Sequence, residues 1–382
     1  MVEKINAEFL FIGGAPRTGT SLFINLLDNH PELLVFPFEH STIEKYFWNK
    51  ENISEYAFNN FILDRKEGQQ TILANKVFLD QYYDKIKKEY NKEFLVEINN
   101  ESFIDGYMNY LKNNGVNLKQ ILLALVEGLL QSNSFARSKY ANIKYFVFKQ
   151  PYYTDLFAQQ VKDLLPGAKF IHVCRNPLTR YASAKKRSIT INKLNKKNLR
   201  HINKVNFIEG HSEVDISSNY LAHKNCEKLG NSYKIVQYES MLKNSSEIFD
   251  ELFSWLSISK SDCYLKQTLL GKPAFAGSVF VKKTGIDKTA LKRHSEYKEL
   301  TSWNERIVHK YYLTTGGLLN ERAPNIFISL IAYILPFKHE SLIHYLFKLA
   351  KINRLLRTNS GDLKTRLPEG VKKKKYFLSG AI

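Results

Sequence analysis

The chain has 382 residues, of which 44% are hydrophobic and 13% aromatic, so it can bury a large core and is not intrinsically disordered. Its net charge of +19 requires anionic surroundings, but it does not choose between a nucleotide, nucleic acid and an acidic membrane surface. The 3 cysteines form no disulfide framework and favour a reducing compartment. Without a signal-peptide core or an apolar stretch of membrane-spanning length, we expect a soluble, cytoplasmic protein.

The first predicted unit is a strand from Phe9 to Gly13, followed by a glycine loop and a helix. The loop reads GGAPRTGTS, and from Gly14 it differs at one residue from the phosphate-binding pattern G-x-x-x-x-G-K-[ST]. Thr20 stands in the lysine position, and Arg17 places a cation inside the loop. Because a helix N-terminus offers free N–H groups and a positive dipole end, the loop predicts an anion site rather than an ordinary glycine turn.

The remaining elements predict an α/β fold. A second strand, LLVFPFE, ends at Glu39, and residues 41–140 have the apolar spacing of a helical insertion that covers or lines a site. Strands return at three segments, Ile143–Lys149, Ala168–Cys174 and Ser232–Tyr238. Helices between these strands indicate a three-layer sandwich around a central parallel sheet. We expect the domain to cover 1–315, with a helical, basic C-terminal extension at 316–382.

A second predicted anion site lies in the segment FIHVCRNPLTRYASAKKRS. The strand ends at Arg175, a helix begins near Pro177, and Ser183 lies about two turns into it. An arginine at the carboxyl end of a strand lies where open α/β sheets bind their ligands. For the basic cluster at 185–187, a solvated helix face is a simpler interpretation than an anion site. Two anion sites on neighbouring strands indicate a ligand that is charged at two separate places.

The segments PRTGTSLF…LLDNHPELLVFPFE and KQP…LLPGAKFIHVCRNPLTRYAS together resemble the sulfotransferase family, over parts of 7–50 and 143–315. Members use 3′-phosphoadenosine-5′-phosphosulfate as the sulfuryl donor. The resemblance implies 5′-phosphosulfate binding by a loop of five residues, Arg17, Thr18, Gly19, Thr20 and Ser21. It implies 3′-phosphate binding by Arg175 and Ser183. A late basic loop, GSVFVKKTGIDK, resembles the segment that folds over the donor, and its candidate contacts are Ser278, Lys282, Lys283 and Gly285.

The resemblance also implies the catalytic groups. In the carbohydrate- and tyrosine-type relatives the base is a glutamate shortly after the first helix, which corresponds here to Glu39. The adjacent His40 competes for this role, and only one of the two should point into the site, because strand neighbours face opposite ways. Lys149 matches a lysine that lies near the transferred group, although a solvated strand-end lysine is an equally simple interpretation. The histidine spacings predict no metal site.

These observations predict a sulfotransferase that acts by in-line displacement on an acceptor hydroxyl or amine. The acceptor stays open, with a glycan, a tyrosyl peptide and a hydrophobic alcohol such as a sterol as candidates. A small-molecule kinase would need the missing loop lysine, and a non-enzymatic nucleic-acid-binding module would need cations clustered with aromatic residues. We expect no nucleic-acid partner. The apolar segment 326–337 could rest on a membrane surface, though a core helix is simpler, and the sequence does not indicate an oligomeric state.

Overall fold

The centre of the protein is a five-stranded parallel sheet with the strand order β2-β3-β1-β4-β5. The computed structural model describes residues 2, 5–39, 42–48, 57, 98–194, 205–274, 286 and 288–291. The strands are β1 (Glu8–Gly13), β2 (Leu33–Glu39), β3 (Tyr145–Lys149), β4 (Lys169–Cys174) and β5 (Tyr233–Gln237). With helices on both sides of the sheet, the predicted α/β fold is confirmed.

Ten α-helices lie in the described part of the chain. They are α1 (Thr20–Leu27), α2 (Thr42–Trp48), α3 (Asn100–Asn114), α4 (Leu118–Ser132), α5 (Ser134–Ser138), α6 (Tyr153–Leu164), α7 (Pro177–Leu194), α8 (Val205–Leu229), α9 (Tyr238–Lys243) and α10 (Ser245–Leu256). A short antiparallel hairpin, β6 (Thr268–Leu269) and β7 (Lys272–Pro273), follows. Helices α2 to α5 are the described elements of the predicted insertion.

The chain divides into two compact units. The first combines Met1–Arg175 with Leu221–Leu291 and contains the sheet, while the described residues of the second are 176–194 and 205–220. Within the second unit, Arg180 of α7 lies 3.0 Å from the carboxylate of Asp215 in α8 (Nε to Oδ1). The predicted boundary between 315 and 316 falls outside the described residues and stays a prediction.

The two faces of the sheet have different cores, because successive side chains of a strand point to opposite faces. One face is mainly aliphatic, and it packs against α1 and α10, where the rings of Phe23 and Phe249 stack at 5.8 Å. Its strand residues include Leu10, Ile12, Val35, Val147, Ile171 and Val173. Burial of these strand side chains between the sheet and two helices explains why the strand segments are nearly continuous apolar runs.

The other face carries an aromatic ladder with one ring from each strand: Phe36, Phe148, Phe11, Phe170 and Tyr233. Successive ring centroids are 5.4, 6.2, 5.5 and 6.0 Å apart, and successive planes are inclined by 27°, 25°, 22° and 20°. Stacked aromatic pairs contribute about 0.5–1.5 kcal/mol each beyond their buried area. The ladder therefore fixes the lateral alignment of all five strands.

The ladder ends on a buried carboxylate, Asp155, in the first turn of α6. Its Oδ1 accepts from the hydroxyl of Tyr233 at 2.7 Å, and its Oδ2 accepts from the N–H of Gly14 at 2.9 Å. Nδ1 of His172 in β4 lies 3.0 Å from the same Oδ2, and Asn225 of α8 donates to the Asp155 carbonyl at 2.7 Å. Burial, reinforced by this carboxylate, raises the pKa of Tyr233 well above its usual value, so the phenol stays protonated and donates.

A buried lysine anchors the insertion to the turn between α1 and β2. Lys139, which follows α5, donates to the carbonyls of Asp28, His30 (2.8 Å) and Leu33 (3.0 Å). A cation is favourable there, because the carbonyls at a helix C-terminus have no partners within the helix. Burial lowers the pKa of Lys139 to about 8, and the negative charge of Asp28 partly opposes this shift.

We predict that Asp155→Ala is far more destabilising than Tyr233→Phe. The first change leaves several buried donors without their acceptor and should cost about 3 kcal/mol or more, whereas the second removes one hydroxyl from an intact ring and should cost about 1 kcal/mol. Urea unfolding at pH 7 measures both free energies. Equal losses in the two variants would show that Asp155 does not hold these elements together.

Candidate functional site

The glycine loop between β1 and α1 is shaped by close contacts. Gly14 and Gly19 have φ angles of 128° and 105°, which L side chains rarely adopt. A Cβ atom at Gly14 would lie 2.4 Å from the carbonyl of Val173, and one at Gly19 would lie 2.3 Å from the ring of Tyr238. Both positions therefore require glycine. Arg17, between them, also has a positive φ of 77°, so the loop holds a cationic residue in a costly conformation.

The N-terminus of α1 opens onto this loop. Its cap residue, Gly19, offers no side-chain acceptor to the first turn, where helix N–H groups have no partners within the helix. Thr18 is fully buried, and both its N–H and its hydroxyl donate to the carbonyl of Ala15. The loop thus uses Thr18 for its own shape. Thr20 is buried in the first turn of the helix, and Ser21 beside it is half-buried.

Arg175 reaches the same loop from the end of β4. It is 7% exposed, and its Nη1 donates to the carbonyl of Arg17 at 3.3 Å. Its guanidinium carbon lies 4.4 Å from the ring centroid of Tyr238, the ring that packs on Gly19. Tyr238 therefore supports a cation while it closes against the loop. The sequence alone predicts no role for Tyr238, because only the fold brings this ring to the glycine.

Beside the loop lies a series of two polar contacts that joins a carboxylate, an ammonium group and a hydroxyl. Glu39 and Lys149 are register partners at the ends of β2 and β3. Nζ of Lys149 lies 3.1 Å from Oε2 of Glu39, and it donates to Oγ of Ser21 in α1 at 3.0 Å. Lys149 is 6% exposed, whereas the Glu39 side chain keeps 28% of its surface accessible. The structure thus connects the predicted base with the first turn of α1.

The other predicted site residues stay predictions. Ser183 is half-buried in α7, within the second unit. Five candidates fall outside the described residues and stay predictions: His40, Ser278, Lys282, Lys283 and Gly285. Among the residues that are described, no three His, Cys, Asp or Glu side chains are grouped to hold a metal ion. None of the described helices is both long and apolar enough to cross a membrane.

Three solved structures share a distant likeness with the chain. The sulfotransferase domain of the Synechococcus PCC 7002 olefin synthase is 14% identical, with a TM-score of 0.42 and coverage of 87% of this chain and 98% of that domain. The sulfotransferase domain of the curacin biosynthetic pathway is 14% identical, with a TM-score of 0.40 and coverage of 79% and 96%. Sulfotransferase STF9 from Mycobacterium avium is 13% identical, with a TM-score of 0.38 and coverage of 78% of each chain.

The sequence itself carries the family assignment. No curated protein matches the chain. A family model described as the sulfotransferase family, however, matches residues 10–262, which include the glycine loop, most of β1, the other four strands of the sheet and the Arg175 segment. Because this match covers well over half of the 382 residues, the chain belongs to the sulfotransferase family.

Proposed function

We propose that the protein transfers a sulfuryl group from 3′-phosphoadenosine-5′-phosphosulfate to an acceptor hydroxyl or amine. The observation that carries this proposal is the pair of side-chain contacts that Lys149 makes, with Glu39 at 3.1 Å and with Ser21 at 3.0 Å. A carboxylate that could accept a proton and an ammonium group lie next to the glycine loop, and this supports the proposal. Family membership supports the class of reaction, and the donor and the residue roles are our inference.

The loop suits a 5′-phosphosulfate group. A side chain at Gly14 would clash with Val173, and one at Gly19 would clash with Tyr238. The backbone at these two positions therefore carries no side chain that could keep a bound anion away. Arg17, Thr20, Ser21 and the N–H groups of α1 supply the donors, with Gly19 and Thr18 shaping the loop. Sulfuryl donors have no γ-phosphate, and this accounts for a loop without the usual lysine.

The 3′-phosphate is assigned to Arg175 and Ser183. Arg175 is held by the ring of Tyr238 and the Arg17 carbonyl, so its guanidinium is oriented before a ligand arrives. Because a guanidinium binds two phosphate oxygens in a planar fork, arginine suits this role better than lysine. The late basic loop with Ser278, Lys282, Lys283 and Gly285 completes the donor site in the proposal.

The donor supplies an activated sulfuryl group whose leaving group is adenosine 3′,5′-bisphosphate. Glu39 accepts the proton of the acceptor hydroxyl while the acceptor oxygen bonds to sulfur and the sulfur bond to the bridging oxygen breaks. Lys149 orients Glu39 and offers its ammonium to the charge that develops on the bridging oxygen. His40 remains the alternative base.

The acceptor is either a glycan or a hydrophobic alcohol such as a sterol. Family membership leaves the kinase and nucleic-acid hypotheses without support. The cysteines Cys174, Cys226 and Cys263 are free thiols, which agrees with the proposed cytoplasmic location. Contact of the C-terminal segment with a membrane concerns residues outside the described structure and stays a prediction.

Adenosine 3′,5′-bisphosphate should stabilise the protein against heat more than ATP with magnesium does. A ligand at about 100 times its Kd adds about 2.7 kcal/mol of stability, which for a chain of 382 residues corresponds to a rise in Tm of roughly 3 °C. Thermal-shift measurements with each nucleotide provide the comparison. A larger shift with ATP and magnesium would support the kinase hypothesis instead.

Arg175→Ala should weaken binding of the same bisphosphate about tenfold or more, because charge-assisted hydrogen bonds contribute about 1.5–3 kcal/mol each. Isothermal titration calorimetry measures the Kd. Lys260→Ala is the matched control, since it removes one positive charge from a side chain that is 75% exposed. If both variants bind as tightly as wild type, Arg175 does not hold the 3′-phosphate.

Glu39→Gln should lower kcat by about a hundredfold or more, since the amide keeps the size of the side chain but cannot accept a proton. The Kd for the bisphosphate should change less than twofold, because Glu39 is not a donor contact in the proposal. Steady-state turnover with labelled donor tests this. His40→Ala is the comparison and should lower kcat less. A near-normal kcat in Glu39→Gln together with an inactive His40→Ala would show that the histidine is the base.

A further inference from the structure

The junction between β1 and the glycine loop packs directly against the carboxylate of Asp155. A Cβ atom at Gly13 would lie 2.3 Å from Oδ1 and 2.9 Å from Cγ of this side chain. The next residue, Gly14, donates its N–H to Oδ2 at 2.9 Å. Gly13 therefore leaves room for the carboxylate, and Gly14 supplies a backbone donor to it, so two successive glycines carry the contact.

Gly14 is held at both of its backbone polar groups. Its N–H donates to Asp155, and its carbonyl accepts at 2.8 Å from the N–H of Tyr152, the cap residue of the same helix α6. A Cβ atom at Gly14 would lie 2.9 Å from Oγ1 of Thr18 and 3.3 Å from Cγ2 of Thr20, so Gly14 packs against the residues at which α1 begins. The orientation of Gly14 therefore affects the first turn of α1, whose N–H groups face the proposed 5′-phosphate site.

His172 fixes the orientation of this carboxylate. It is fully buried, and it is the register partner of Gly13 in the pairing of β4 with β1. Its Nδ1 lies 3.0 Å from Oδ2 of Asp155, the oxygen that Gly14 also uses, while Tyr233 donates to Oδ1 at 2.7 Å. Because a carboxylate oxygen only accepts, Nδ1 carries the hydrogen and donates. Side-chain donors on both oxygens therefore hold the carboxylate in one orientation.

Loss of the His172 donor would be felt at the glycine loop. A buried carboxylate that loses a donor is costly, so the Asp155 side chain would turn towards other donors and take its Oδ2 away from the Gly14 N–H. Groups that bind a ligand must be held within about 0.5 Å of their productive positions by the residues behind them. A small rotation of this one side chain is therefore enough to disturb a loop that binds an anion.

We propose that His172 is a positioning residue for the donor nucleotide: acting through Asp155, it holds Gly14 in the orientation that binding of the 5′-phosphate requires. His172 touches no ligand in this proposal, and its effect is confined to the part of the nucleotide that the glycine loop binds. The 3′-phosphate, which is assigned to Arg175 and Ser183, is bound independently of it. This inference rests on the proposed sulfotransferase function and adds a residue to its donor site.

The test separates the two phosphates by calorimetry with adenosine 3′,5′-bisphosphate and with adenosine 3′-monophosphate. The ratio of the two Kd values measures the contribution of the 5′-phosphate, because the ligands differ in that group alone. His172→Leu and His172→Met remove the donor with two different apolar side chains. His172→Asn is the conservative variant, since its amide N–H takes the place of Nδ1–H. Thermal melting of each variant reports its folding.

His30→Leu is the matched control. His30 is also a fully buried histidine of the first unit, and its Nε2 lies 2.9 Å from the carbonyl of Ser259. It follows the C-terminal end of α1, whereas the glycine loop precedes the N-terminal end of that helix. Its replacement therefore removes comparable buried polar contacts without touching the loop.

Wild type should bind the bisphosphate about tenfold or more tightly than the monophosphate. This preference should fall by about threefold or more in the two apolar variants, with the monophosphate Kd nearly unchanged, and His172→Asn and His30→Leu should keep it within about twofold of wild type. Equal weakening of both ligands, an unchanged preference, the same loss in His30→Leu, or failure of both apolar variants to fold would overturn the inference, because His172 would then serve stability alone. Failure of wild type to bind the bisphosphate would instead overturn the proposed function itself.

Discussion

The hydrogen bonds to the carboxylate of Asp155 hold the first unit together. A carboxylate that is 1% exposed is tolerable only when donors surround it, and its two oxygens accept from Gly14 and Tyr233 with His172 alongside. These three donors come from the glycine loop, β5 and β4. The loop can therefore adopt its shape only when these elements stand in their native order, so assembly of the sheet and formation of the glycine loop are coupled.

The aromatic ladder and this carboxylate act as one system, because Tyr233 belongs to both. Five rings stack across five strands only if every strand is in register, and a shift of one residue would turn each ring to the opposite face. Correct register also aligns the carboxyl ends of the strands. As a result Glu39 and Lys149 meet as register partners, and Arg175 reaches the loop from β4.

The cations of the site are held by the protein rather than left free in solvent. Arg175 rests on Tyr238 and on a loop carbonyl, and Lys149 lies between Glu39 and Ser21. Groups that are already oriented lose little entropy when an anion binds, and they need no rearrangement when charge develops during transfer. The net charge of +19 alone does not indicate which cations are held in this way.

Local sequence patterns were enough to predict the strands, the strand–loop–helix unit at Gly14 and the family, because apolar runs and short motifs report on burial and backbone shape within one element. The strand order, the contact between Lys149 and Ser21, which are 128 positions apart, and the roles of Asp155 and Tyr238 were decided only by the tertiary structure. Each depends on partners that are distant in the chain, and the periodicity of one segment carries no information about which distant side chain will face it.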